Sequence, residues 1–180
     1  RAYGDGNPDV PVMGADEALM PHVTTANVAC GFHAGDPITM QNTIRLAKNN
    51  NVAVGAHPGL PDLLGFGRRV MSLTPAEIYA MTVFQVGSLK AMLATESMNL
   101  HHVKPHGALY LMLSKDEELG EAFCKAIIDT SENPTIYYPA PTEQHAVIQA
   151  AKRAGIKIVG ELYFDLGYAD DGSLIVKRAN

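Results

Sequence analysis

Three histidines that lie far apart in the chain share one local pattern. Each follows a short apolar run and is flanked by glycine or proline: His33 after 28–30, His57 after 53–56, and His106 after 100–103. Imidazole exchanges protons near neutral pH, and its neutral nitrogens bind metal ions. One such histidine is as often structural as functional. Three at equivalent positions favour a shared site for proton transfer or metal binding.

Charged residues next to these histidines could take part in the same chemistry. Asp36 precedes Pro37, a pair typical of a helix start, so its carboxylate is expected to cap the helix. The same carboxylate could orient the ring of His33 or act as a base. Lys104 lies at the end of an apolar run, where an ammonium group requires an anion nearby. It is therefore predicted to bind a substrate carboxylate or a developing oxyanion, and the alternative is a lysine that extends to the rim.

The long segment 57–72 carries three further candidates. It is rich in glycine and proline, and a loop of this length within a domain is usually functional or mobile. Asp62 is either a ligand or a turn former. Arg68 and Arg69 could bind an anion as a pair, although exposed arginine pairs are usually only solvated.

The periodicity of the chain shows which elements must hold these residues. Apolar runs near 28–30, 52–56, 100–103, 135–138 and 156–159 are predicted strands, and helices are predicted between them. Thr74 to Glu77 forms a capping box, Ser114 with Glu117 predicts the next helix start, and a helix over 143–154 should stop at Gly155. Strict alternation predicts parallel strands with helical crossovers. No glycine-rich dinucleotide motif or phosphate loop follows a strand, so a (β/α) barrel is favoured over an open sheet.

Composition limits the class of protein. The 180 residues are 47% hydrophobic and carry a net charge of −5, which suits one domain over 1–180 with a loop-rich segment at 1–13. The charge gives no electrostatic basis for binding nucleic acid or an anionic membrane. No apolar run is long enough to span a bilayer. Cys30 and Cys124 fit no disulfide or metal pattern, so both are expected to be reduced core residues of a cytoplasmic protein.

Three ordered motifs resemble the LamB/YcsF family, which forms the A subunit of the bacterial ATP-dependent 5-oxoprolinase. They are NVACGFHAGDP at 27–37, GAHPGLPD at 55–62 with GFGRR at 65–69, and HVKPHGALY at 102–110. The resemblance runs from about residue 14 to about residue 176. It implies an α/β fold, a (β/α) barrel of the glycoside hydrolase and deacetylase type. It also implies that this chain lacks the barrel's first strand and its C-terminal part.

The resemblance further implies a reaction and its participants. The lactam of 5-oxo-L-proline would be hydrolysed to L-glutamate at the cost of ATP, with B and C subunits as partners. The chain has no recognisable nucleotide loop, so ATP is expected to bind mainly to the partners. His33, Asp36, His57, Lys104 and His106 are the predicted catalytic residues. The predicted substrate-binding residues are Asn27, Asp62, Arg68 and Arg69.

Two other functions stay open at this stage. The chain could be a metal-dependent amidohydrolase or deacetylase acting alone, with His33, His57 and a carboxylate around an activated water. It could also be a non-catalytic subunit that binds a small carboxylate. The sequence leaves the metal unknown and self-association possible.

Overall fold

A computed structural model of the chain describes residues 15–140, 143–164, 166–169 and 174–175. The strands are β1 (Thr25–Ala29), β2 (Ala53–His57), β3 (Leu100–Val103), β4 (Thr135–Pro139), β5 (Lys157–Glu161), β6 (Gly167–Tyr168) and β7 (Leu174–Ile175). The helices are α1 (Asp16–Leu19), α2 (Pro37–Asn49), α3 (Pro75–Thr95), α4 (Gly107–Lys115), α5 (Glu117–Thr130) and α6 (Ala146–Arg153). A short 3-10 turn, Met20–His22, follows α1.

The five longer strands form one parallel sheet in chain order, from β1 to β5. Helices connect them, so the predicted alternation and the α/β fold class are confirmed. Among the described residues, β1 and β5 are the two edges of this sheet, which is therefore open. Because the strands are parallel and consecutive, their carboxyl ends lie along one edge. That edge carries the histidine-bearing loops.

Side chains alternate between the two faces of the sheet, and one face is packed under helices. Val54, Ala56 and Val103 are at most 1% exposed and belong to one apolar cluster that also contains residues of α2 to α6. The opposite face carries polar groups, among them Asn27 and His102. The continuous apolar cluster fixes the strands, and through them the loops at their carboxyl ends.

Two predicted helix starts are confirmed, one is wrong, and the helix expected from residue 143 begins at Ala146. The side chain of Asp36 accepts the backbone N–H groups of Ile38 and Thr39, and Thr74 forms the complete capping box with Glu77. The helix expected from Ser114 begins instead after Asp116, whose carboxylate accepts the N–H of Leu119. Ser114 lies inside α4, a helix that the sequence pattern does not predict.

Three remaining expectations concern the N-terminal segment, the two cysteines and the membrane. The segment 1–13 lies outside the described residues. Cys30 and Cys124 are buried free thiols, as predicted. Across the described ranges, no helix combines the length and apolarity that crossing a bilayer requires.

Candidate active site

The structure brings the three predicted histidines together at the carboxyl edge of the sheet. His33 lies in the loop after β1, His57 is the last residue of β2, and His106 precedes α4. The ring centroids of His57 and His106 are 4.8 Å apart, and that of His33 is 5.5 Å from His57 and 3.8 Å from His106. One nitrogen from each ring lies within 4.8 Å of the others. We call this group the histidine cluster.

Backbone carbonyls fix the tautomers of two rings in the cluster. Nδ1–H of His57 donates to the carbonyl oxygen of Lys104 at 2.6 Å, and Nε2–H of His106 donates to the carbonyl oxygen of Phe66 at 2.7 Å. A carbonyl only accepts, so the assignment of each proton follows from its partner. In the neutral rings, Nε2 of His57 and Nδ1 of His106 therefore both carry lone pairs. These two nitrogens face each other at 3.0 Å.

Burial keeps these imidazoles neutral. Desolvation, followed by the charges of the neighbouring rings, lowers the pKa of His33 to about 3. The pKa of His57 also falls to about 3, mainly through burial and secondly through His106. The pKa of His106 is lowered by burial, although its bond to the Phe66 carbonyl opposes the shift. At neutral pH the cluster therefore presents lone pairs rather than positive charge.

His33 has an unusual environment within the cluster. Its side chain is 1% exposed, and among the described residues its Nδ1 finds no hydrogen-bond partner. Its ring stacks on that of His106 with an angle of 7° between the planes. A Cβ on Gly59 would overlap Nδ1 of His33, so glycine at this position makes room for the ring. A buried polar atom without a partner is costly unless function requires it.

A braced loop positions the carbonyl that holds His106. The carboxylate of Asp62 accepts the backbone N–H groups of Gly65 and Arg69 and pairs with the guanidinium of Arg69. Asp62 is 5% exposed, and its hydrogen bond with Arg69 lowers its pKa to about 2. Phe66 adopts a φ of 54°, a left-handed conformation that is strained for an aromatic residue. The Asp62–Arg69 pair thus stabilises the turn that presents the Phe66 carbonyl.

Lys104 has a carboxylate partner that the sequence pattern does not identify. Its Nζ lies 2.6 Å from Oε2 and 2.8 Å from Oε1 of Glu161, at the end of β5. Tyr163 donates its hydroxyl to Oε2 of the same carboxylate at 2.9 Å, and its ring lies 5.1 Å from the ammonium. The predicted need for an anion beside Lys104 is met within the chain. The signal that could have identified Glu161 is its place at a strand end, like His57.

The remaining predicted site residues have other partners. Asp36 accepts hydrogen bonds from the backbone of Ile38 and from the backbone and hydroxyl of Thr39, so its carboxylate serves as a helix cap. Arg68 lies over the ring of Phe66, with 5.4 Å from its guanidinium carbon to the ring centroid. Oδ1 of Asn27 is 2.7 Å from Nε2 of His102.

His102 and Gln85 are buried polar residues to which the sequence pattern gives no site role. His102, expected to be a surface or packing residue, is 1% exposed and stacks on Tyr137 at 3.8 Å. Gln85, on α3, accepts the N–H of Gly59 and donates to its carbonyl oxygen. It therefore fixes the glycine next to His33. The feature that could have identified Gln85 from the sequence is an amide side chain on the apolar face of a helix.

The family of the chain follows from comparison with known proteins. The family model described as LamB/YcsF family matches residues 6–180. The chain belongs to the LamB/YcsF family. The resemblance carried by the three histidine motifs is thereby confirmed.

Named relatives cover most of this chain. The chain is 45% identical over 168 residues to the A subunit of 5-oxoprolinase from Bacillus licheniformis, covering 93% of this chain and 65% of that protein. It is 47% identical over 163 residues to the A subunit of 5-oxoprolinase from Pyrococcus abyssi, covering 91% and 63%. The chain therefore spans less than two thirds of the length of these relatives.

A solved structure has the same fold. The crystal structure of lactam utilization protein from Thermus thermophilus matches with a TM-score of 0.86 and 42% sequence identity, over 92% of this chain and 66% of that one. The match supports the predicted fold class.

Proposed function

We propose that the chain belongs to a subunit of an ATP-dependent 5-oxoprolinase, which hydrolyses the lactam of 5-oxo-L-proline to L-glutamate. The observation that carries the proposal is the convergence of His33, His57 and His106 at one edge of the sheet. The names of its relatives, which describe the A subunit of 5-oxoprolinase and a lactam utilization protein, supply the substrate class.

Lactam hydrolysis requires groups of the kind that the cluster offers. Water adds to the ring carbonyl, the C–N bond breaks, and the released nitrogen takes up a proton to give the amine and carboxylate of glutamate. A neutral imidazole can accept the proton of the attacking water and later return it to the nitrogen. His57 and His106 present the two facing lone pairs, and we assign this proton transfer to them, with His33 as their buried neighbour.

Lys104 is our candidate for recognising the substrate carboxylate. The Lys104 side chain is 14% exposed, and its ammonium is paired with Glu161. A substrate carboxylate would compete with Glu161 for the ammonium. Asn27 contributes an amide on the face of the sheet opposite the helices. It is paired with Gly55, which lies two residues before His57 on the neighbouring strand.

ATP and the partner subunits complete the proposal. An amide is a poor electrophile, so ATP would activate the lactam oxygen, and B and C subunits would supply the nucleotide site. The two buried free thiols support a cytoplasmic location for this complex.

Reconstitution tests the proposed function. The full-length protein combined with its B and C partners should form glutamate from 5-oxoproline and ATP. We expect His57→Ala and His106→Ala to abolish that turnover, and the exposed His22→Ala to leave it unchanged. Undiminished turnover in both cluster variants would refute the assignment. Absence of glutamate in every wild-type reconstitution would refute the function itself.

A further inference from the structure

The contact between His57 and His106 presents a problem that hydrogen bonding alone does not solve. Each ring already donates its N–H to a backbone carbonyl, so the nitrogens that face each other at 3.0 Å both carry lone pairs when the rings are neutral. Two lone pairs at this distance repel. A positive group between them, either a shared proton or a metal ion, would remove this repulsion.

The third ring distinguishes these possibilities. A shared proton satisfies only His57 and His106, whereas Nδ1 of His33 is buried without a partner among the described residues. A divalent ion accepts all three donors at once. Imidazole is a preferred ligand of zinc and its first-row neighbours, and three histidines with one open position are a known catalytic arrangement.

We propose that His33, His57 and His106 form a binding site for one divalent transition-metal ion, with zinc as the best fit. Two nitrogens bound to one tetrahedral zinc lie about 3.3 Å apart, close to the 3.0 Å observed between His57 and His106. The two carbonyls that accept their other N–H groups orient the rings, as outer partners of metal-bound histidines do. This ligand set of three histidines differs from the two histidines and a carboxylate that the sequence offers as one alternative.

His33 must turn to complete the site. Its ring is stacked parallel to that of His106, and two parallel stacked rings cannot both direct a lone pair at one ion. Rotation about the Cβ–Cγ bond brings a nitrogen of His33 towards the other two. Within the described part of the chain, no hydrogen bond to Nδ1 opposes that rotation. A Cβ at Gly59 or Gly67 would overlap His33, so glycine at both positions keeps two further side chains away from the ring.

In the metal-loaded chain the lone pairs of His57 and His106 would be occupied by the ion, so these rings would no longer accept the proton of the attacking water. Zinc would take over the activation of that water, because it lowers the pKa of a bound water and supplies hydroxide to attack an amide. The existence of the site nevertheless does not depend on that function. If the chain binds metal but no glutamate forms, the metal site is supported and the proposed function is refuted. Turnover by protein that binds no metal, in the presence of a chelator, would do the reverse.

The test uses the tag-free chain after treatment with a chelator. Titration calorimetry with Zn²⁺ and elemental analysis after dialysis should give one ion per chain. Co²⁺ should give the visible absorption of a tetrahedral site with nitrogen ligands. His57→Gln and His106→Gln should lose stoichiometric binding, while the matched control His101→Gln, at an exposed histidine of β3, should retain it.

Circular dichroism and thermal unfolding show whether each variant is folded. A folded wild-type chain that binds no Zn²⁺ or Co²⁺ would overturn the proposal. Equal binding by wild type, His57→Gln and His106→Gln would also overturn it, since the metal would then lie elsewhere. In a structure of the loaded chain, nitrogens of all three rings should contact the ion, and a loaded chain with His33 still stacked would remove that residue from the site.

Discussion

Nε2 of His57 and Nδ1 of His106 face each other at 3.0 Å, while the opposite nitrogen of each ring is bonded to a backbone carbonyl. The two residues lie 49 positions apart in the chain. Parallel strands bring them together because β2 and β3 are neighbours and point the same way. The same carbonyls that hold the rings also decide which nitrogens are available for chemistry.

Stability of the metal-free chain should depend on pH because His33 and His57 are buried as neutral rings. Their pKa values are about 3 in the folded chain and about 6.5 when unfolded. Between these values the unfolded chain binds more protons, so the free energy of unfolding falls as pH falls below 6.5. Each ring contributes at most about 1.4 kcal/mol per pH unit in this window.

Urea unfolding between pH 7 and pH 5 measures this effect, because carboxylates remain mostly ionised there. The pH dependence should diminish in His57→Gln and persist in His22→Gln, which changes an exposed histidine. A wild-type chain equally stable at pH 7 and pH 5 would contradict the burial of neutral rings.

The Asp62–Arg69 pair should control activity through the loop that holds His106. Arg69→Gln removes the ion pair and leaves the buried carboxylate of Asp62 without its guanidinium. We expect lower thermal stability and a loss of activity of about 10–100-fold, the range typical of residues that orient functional histidines. The loss should appear mainly in kcat, because the residue acts through His106.

Arg45→Gln is the matched control for this pair, since Arg45 also bonds a carboxylate, that of Glu96. It should leave kcat unchanged. Equal kcat for Arg69→Gln and wild type would show that the brace has no role in the reaction.

Lys104 and Glu161 give two variants with opposite expected effects on substrate binding. Lys104→Met removes the ammonium, so KM for 5-oxoproline should rise. Glu161→Gln removes the competing carboxylate, so KM should fall because Lys104 becomes available to the substrate. Steady-state kinetics of the reconstituted complex measure both. A KM unaffected by Lys104→Met would exclude Lys104 from substrate recognition.

Two glycines offer a test of packing at the sheet. A Cβ on Gly55 would overlap the ring of His102, so Gly55→Ala should disturb the bond to Asn27 and destabilise the chain by about 1–3 kcal/mol. Gly87, within α3, has open space around it, so Gly87→Ala should stabilise the chain by about 0.5–1 kcal/mol. Chemical denaturation compares the two. Equal changes in the free energy of unfolding would show that the His102 ring moves aside at no cost.

The features that were predicted correctly depend on local sequence pattern. Apolar periodicity and helix caps such as Asp36 and Thr74 indicated the alternation of strands and helices, and parallel topology then implied that the three histidines meet. The helix start at Asp116 was missed because Ser114 offered a similar capping pattern two residues earlier. Propensity alone could not decide between them.

The pairing of Lys104 with Glu161 and the tautomers of the histidines were not predicted. Glu161 lies 57 positions from Lys104, at the end of β5, and their side chains meet across the intervening strand β4. The tautomers of His57 and His106 depend on two backbone carbonyls whose directions are set by a loop and a strand end. Composition and spacing contain no information on those directions.

Ring nitrogen protonation is the most direct test of the account. Long-range ¹H–¹⁵N spectra of the metal-free chain at pH 7 should show both rings neutral, with His57 protonated at Nδ1 and His106 at Nε2. Assignment would use the His57→Gln and His106→Gln variants. A spectrum in which either ring is an imidazolium, or in which His106 carries its proton on Nδ1, would contradict the facing lone pairs on which both proposals depend.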